Sequence, residues 1–304
     1  MSCKKWIVII IISINAIGVY SNDSIKCFPL PKSVSFDSQT VNLDRYDMIE
    51  RYDREQLAIA YSHSASLLIL KRANKIFPII EPILKENGIP DDFKYLAVVE
   101  SNLDTRAISQ VKAAGLWQLM PSTAEELGLE VNEEVDERYH IEKSTHAACK
   151  YLKKAYNKYN DWLTVAASYN GGMGRISGEL EKQKVGTFFD LLLTSETSRY
   201  VFRILVMKQF IENPKAFNYY IQKVDLYPLI PTEKIKVSEA VDSWTDWAKL
   251  HGISYFQLKD FNPWLRDRQL TNKNKREYVI EVPIVSDLSP DKTKTKVHNS
   301  NWTY

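Results

Sequence analysis

Three short stretches of this 304-residue chain place polar groups where chemistry is conceivable. Glu100 closes the apolar run Tyr95-Leu96-Ala97-Val98-Val99, so its carboxyl can be held against hydrophobic surface. Desolvation disfavours the charged form and raises a carboxyl pKa, which a general acid working near neutrality needs. The position also suits an ordinary helix-end glutamate facing water, where most glutamates sit. Gln118 is the one amide in the apolar loop from Ala114 to Pro121, and a buried amide needs a protein partner or a ligand. Tyr169 and Asn170 stand before Gly171 and Gly172, whose missing side chains let a ligand approach the backbone. A helix-ending turn explains that stretch equally well. No His, Cys, Asp and Glu fall at metal-ligand spacing, so neither metal nor cofactor is expected. The chemistry in view is proton transfer by one carboxyl beside neutral polar groups.

The elements that must position these residues read as helices. From about residue 43 to 85 apolar residues recur at helical spacing, among them Leu57, Tyr61, Leu67, Ile76, Ile80 and Ile83. Pro78 and Pro82 are expected to break that stretch into at least two helices or to begin new ones. Asn87-Gly88 reads as a stop, and Pro90-Asp91-Asp92 as a restart with acids at the positive end of the next helix. That helix carries Glu100. A loop bracketed by Gly115 and Pro121 follows, then a helix for which Ser122 to Glu125 has capping-box spacing. Further helices are expected over residues 144–159, 161–170 and 195–212. Little between residues 43 and 215 alternates with period two, so the fold class is mainly α.

The flanks differ. Residues 22–42 are polar and proline-bearing and read as a loose leader, and Tyr227 to Pro231 as a stiff linker. Residues 235–283 give a strand-helix-helix-strand order, and the tail from residue 286 is polar enough to be expected disordered. Lys4 and Lys5 precede an apolar run beginning at Trp6, with small Ser21 before Asn22-Asp23. This pattern is that of a secretory signal peptide removed near residue 21, the alternative being a retained membrane anchor. Export would leave Cys27 and Cys149 in an oxidising compartment, where two thiols alone do not specify a bridge. With 40 basic and 38 acidic residues the formal charge is +2, which argues against a nucleic-acid partner.

Four motifs in order, VVESN, GLWQLMPSTA, ASYNGG and SETSRYV, resemble the catalytic domain of lytic transglycosylases, bacterial relatives of goose-type lysozyme, and most closely the membrane-bound murein transglycosylase D group. The resemblance covers about residues 86–213. It implies a lysozyme-like helical domain that cleaves the β-1,4 bond between N-acetylmuramic acid and N-acetylglucosamine in peptidoglycan strands, leaving a 1,6-anhydromuramic end. By that resemblance Glu100 is the single acid/base. Ser109, Gln118 and Met120 line the glycan groove, Tyr169 and Asn170 orient the glutamate and the N-acetyl group, and Glu196 and Tyr200 are the last helix's contribution. Asn102, Asp104, Ser168 and Gly172 depart from the commoner residues without removing a functional group. Ordinary glycosidases need two carboxylates. One suffices where the C6 hydroxyl of the same sugar attacks, because an intramolecular nucleophile carries a large effective concentration. The alternatives are a goose-type muramidase, which uses water instead, and a wall-binding protein without turnover.

Residues 241–263 resemble a LysM module, although Val241 and Trp244 replace its usual Gly and Leu. The expected division is a signal peptide over 1–21, a leader with N-terminal helices over 22–85, a catalytic domain over 86–215, a linker over 216–234, a β-α-α-β LysM-like module over 235–283 and a polar tail over 284–304. A tethering module of this kind would raise the enzyme's concentration on the insoluble wall and leave cleavage of short soluble glycans untouched.

Overall fold

The computed structural model describes residues 27–289 and 291–303. The expected signal peptide lies outside the described residues. Cys27 is exposed and Cys149 buried, and both are free thiols. Among the described residues no helix is long and apolar enough to cross a membrane.

The stretch expected to be a loose leader is instead a hairpin, β1 (Ser33–Phe36) paired antiparallel with β2 (Gln39–Asn42). Its alternation is only a few residues long, yet it buries Val34, Phe36 and Val41. Phe36 packs edge-on against Phe93, with ring centroids 5.4 Å apart. The turn is anchored by Asp92, whose Oδ2 accepts from the Asp37 amide at 2.6 Å and from Lys208 at 2.7 Å.

Helices α1 (Tyr46–Tyr61) and α2 (His63–Glu86) follow, and α2 runs unbroken through Pro78 and Pro82. An interior proline costs a helix about 3 kcal/mol. Here α2 buries Ile69, Leu70, Ile76, Phe77, Ile80 and Leu84, each worth about 1.5–3 kcal/mol, so packing outweighs both breaks. Next come α3 (Phe93–Ser101), α4 (Pro121–Glu126), α5 (Ile141–Tyr159), α6 (Trp162–Gly171), α7 (Met173–Gln183) and α8 (Ser195–Glu212). The start of α4 is set by Pro121 in its first turn rather than by a capping box at Ser122, since proline's fixed φ suits that position. Both α3 and α8 are apolar on several sides because they lie inside the bundle: α8 packs on α1, α3 and α6. Asp161 caps α6 by accepting from the Thr164 amide at 2.8 Å.

In the C-terminal part, β3 (Thr232–Val237) pairs antiparallel with β4 (Tyr278–Pro283), with Ile235 opposite Ile280. Between them lie α9 (Trp244–Leu250) and α10 (Tyr255–Phe261). Their core of Trp244, Leu258, Trp264, Leu265 and Ile280 also takes in Ala114, Val135 and Tyr139 from the helical domain. The expected disordered tail returns to that domain. Trp302 is 1% exposed, and its indole donates to the Ile211 carbonyl at 2.6 Å.

Candidate active site

Glu100 sits in the last turn of α3, which ends at Asn102 in a left-handed conformation with φ of 51°. Buried residues Leu96, Ala97 and Val98 fix the helix below it. The Tyr200 hydroxyl of α8 donates to Glu100 Oε1, and the two helices are packed together. Burial pushes the Glu100 carboxyl up to about 7; the Tyr200 bond opposes this, Glu196 adds to it and Arg203 opposes it. Burial, followed by the charge of Glu100, also holds the Tyr169 and Tyr200 hydroxyls well above the usual tyrosine range, so both stay neutral donors.

Around this carboxyl the structure gathers several of the residues named from sequence. Tyr169, from the end of α6, donates to the Trp117 carbonyl at 2.8 Å, so the hydroxyl that reaches Glu100 is that of Tyr200. Ser101, the neighbour of Glu100, donates to the Leu116 carbonyl at 2.9 Å. The loop holding Gln118 is therefore tied to both α3 and α6. Asn170 donates to Glu196 at 3.1 Å and accepts from Thr197 at 2.9 Å, which fixes its amide against the first turn of α8. Gly171 keeps this junction close, since an added Cβ would lie 3.1 Å from side-chain carbons of Ile176 and Thr197, which would have to shift by a few tenths of an ångström.

Gln118 has a φ of 46°, an unusual conformation for a residue with a side chain. Its amide nitrogen donates to the Gly115 carbonyl at 2.8 Å and to that of Ala107 at 3.2 Å. The protein thus supplies partners for this half-buried amide nitrogen, and the amide oxygen remains as an acceptor. Ser109 serves its own turn, its hydroxyl accepting from the Ala113 amide at 3.0 Å. Met120 is 40% exposed at the start of α4.

Sequence reasoning missed a charged group behind the site. Glu55 of α1 is 1% exposed and accepts from Arg199 and, at 3.0 Å, from Arg203, both on α8. Two arginines four residues apart on one helix face were the available signal for a buried acid partner. Arg138 was also missed. It is 6% exposed, forms a two-pronged pair with Asp136, and donates to the Lys112 and Leu119 carbonyls.

Residues 77–189 match the family described as Transglycosylase SLT domain, and Glu100 with its loop lies inside that match. This part of the chain is similar to transglycosylase SLT domains. Residues 233–286 match the Soluble lytic transglycosylase C-terminal LysM-like domain. Of the residues named from sequence, Glu196 and Tyr200 fall beyond the matched span of the SLT domain and are brought to it by α8. The chain is 29% identical over 216 residues to membrane-bound lytic murein transglycosylase D of Escherichia coli (strain K12), covering 69% of this chain and 46% of that protein. It is 32% identical over 118 residues to membrane-bound lytic murein transglycosylase F of Desulfosudis oleivorans, covering 36% and 24%. The chain therefore spans about half the length of the first relative and about a quarter of the second. The solved 70 kDa soluble lytic transglycosylase of Escherichia coli aligns over 44% of this chain and 24% of its own, at 23% identity and a TM-score of 0.40.

Proposed function

We propose that the chain is a peptidoglycan lytic transglycosylase that cuts the β-1,4 bond between N-acetylmuramic acid and N-acetylglucosamine, with Glu100 as acid and then base. The observation that carries this is one buried carboxyl, pushed up to about 7, inside an SLT domain and bonded by Tyr200. A group with that pKa is partly protonated at neutral pH, so it can donate a proton and then accept one. Because Tyr200 occupies Oε1, the acid proton belongs on Oε2. Glu100 protonates the glycosidic oxygen as the bond breaks, and the N-acetyl carbonyl of the sugar shields the developing positive charge. The resulting carboxylate removes the proton from the C6 hydroxyl, which closes on the anomeric carbon as the 1,6-anhydro ring. Asn170, held by Thr197 and Glu196, and the amide oxygen of Gln118 are neutral groups suited to holding the N-acetyl and hydroxyl groups of the sugars.

The enzyme acts in the cell envelope after export through its N-terminal run, and the LysM-like module contacts N-acetylglucosamine chains. The names of the relatives support the envelope assignment. Glu100→Gln tests the reading. General acid/base help is worth about 10²–10⁴-fold, and one residue here serves both steps, so release of soluble fragments from sacculi should fall by at least that range. Release at the wild-type rate would end the proposal.

A further inference from the structure

The LysM-like module does not hang from the SLT domain as a free tether. Its backbone is hydrogen-bonded to the helical domain beside the Gln118 loop: the Asp136 amide donates to the Trp264 carbonyl at 2.9 Å, and the Arg266 amide to the Glu134 carbonyl at 2.8 Å. Side chains extend the seam. Glu130 accepts from Arg276 at 2.7 Å and from the Tyr278 hydroxyl at 2.9 Å, and Glu134 accepts from the Thr271 amide at 2.9 Å. His140 stacks on Trp264 at 5.6 Å, and Arg266 lies 4.3 Å over the Tyr139 ring.

What the seam grips is the short segment that supports Gln118. Residues Glu137–Tyr139 form one tight helical turn, and the Arg138 guanidinium reaches from it to the Lys112 and Leu119 carbonyls at 2.7 and 3.1 Å. The Arg138 carbonyl lies so close to Gly115 that an added Cβ would be 1.9 Å away. Ala114, paired with Leu119 across the loop, is itself part of the module's core. The far side of the same loop carries the carbonyls of Leu116 and Trp117, which accept from Ser101 and Tyr169 beside Glu100. A continuous path of hydrogen bonds and packed atoms thus runs from the module, through Arg138, to the loop that flanks the acid.

We infer that the LysM-like module is a clamp that sets the Gln118 loop, with Arg138 as the positioning residue through which it acts. Backbone at the positive φ of Gln118 is costly and persists only when its surroundings over-determine it. Here Arg138 and the module supply that constraint from below. The consequence for catalysis rests on the functional reading above, since it takes the Gln118 loop to be part of the glycan groove. The clamp itself does not.

The experiment uses the full-length chain carrying Glu130→Ala with Glu134→Ala, and separately Arg138→Met and Arg138→Lys. Hydrogen exchange is read at the Ala114 and Leu119 amides, and kcat and KM are measured on a short soluble glycan, on which tethering gives no advantage. Loss of charge-assisted bonds at the seam should speed exchange at these amides about tenfold. Misplacing the loop by an ångström should lower kcat/KM by about ten- to a hundredfold, at a temperature where each variant remains folded. Arg138→Lys should recover part of what Arg138→Met loses, because it keeps the pairing with Asp136. Unchanged exchange at Ala114 and Leu119 in both the seam and Arg138→Met variants would overturn the clamp. So would wild-type exchange and wild-type kcat/KM on the short glycan accompanied by weaker binding to sacculi, which is the signature of a tether. Faster exchange in a protein whose wild type cuts no glycan would uphold the clamp and refute only the functional reading.

Discussion

Whether one glutamate can serve as acid and then as base depends on how its surroundings divide between favouring the neutral form and favouring the charged one. For Glu100, burial and Glu196 push the carboxyl up, while the Tyr200 hydroxyl and Arg203 hold it back, and the balance falls at about 7. That balance has a measurable cost. The folded state keeps Glu100 protonated above its ordinary value of 4.5, so below 4.5 both states carry the proton and nothing is lost. As pH rises from there through 7, the unfolded chain ionises more readily and stability drains away. With some solvent still reaching the carboxyl, the loss amounts to about 1–3 kcal/mol. Glu100→Gln should therefore melt higher than wild type at pH 8 and no higher at pH 4; a gain of equal size at both would show that its carboxyl is not perturbed. At this scale the sequence was informative about Glu100, because an acid closing an apolar run carries its own physical meaning. It held only the paired arginines of α8 as a signal for Glu55 and none for Arg138, because their roles depend on partners 148 and 19–26 residues away.

The elements were legible where periodicity was long and hidden where it was short or overruled. α8 occupies the expected span, residues 195–212, and the strand-helix-helix-strand order of the C-terminal part is present as read. The hairpin at 33–42 was lost because strands of four residues offer too few alternations to stand above a polar background. α2 was divided in expectation because local proline cost was weighed without the burial of a helix whose partners lie far along the chain. The Gln118 loop sits between these cases: its glycine was visible, but the reason for it, the Arg138 carbonyl, was not. Gly115 has a φ of 76° and no room for a side chain. Gly115→Ala should thus destabilise the chain by about 2–4 kcal/mol in denaturant unfolding, from strain and displacement together. A change below about 0.5 kcal/mol would mean that the loop yields easily and is not held against Arg138 as described above.

In the whole molecule, segments that read as accessories are parts of one packed body. The polar tail carries few large apolar residues, and among them Trp302 fills the space beside Phe77 and α8 while His298 reaches Glu81. Composition averages over a tail and so conceals a single anchor of this kind. Trp302→Ala should cost about 3–5 kcal/mol and lower the melting temperature of the full chain, although it lies outside both family matches; an unchanged melting curve would show that the tail adds nothing to the fold. The same integration joins the LysM-like module to the SLT domain, where the sequence suggested a linker and a separate tether. Under the proposed function, lyase and hydrolase differ in what caps the anomeric carbon once the glycosidic bond breaks. The direct measurement is mass spectrometry of the fragments that the purified full-length protein releases from sacculi. Lytic cleavage adds no water, so the fragments should end in 1,6-anhydromuramic acid, and Glu100→Gln should release almost none. Fragments ending in ordinary reducing sugar, one water heavier, would contradict the account and make the protein a hydrolase.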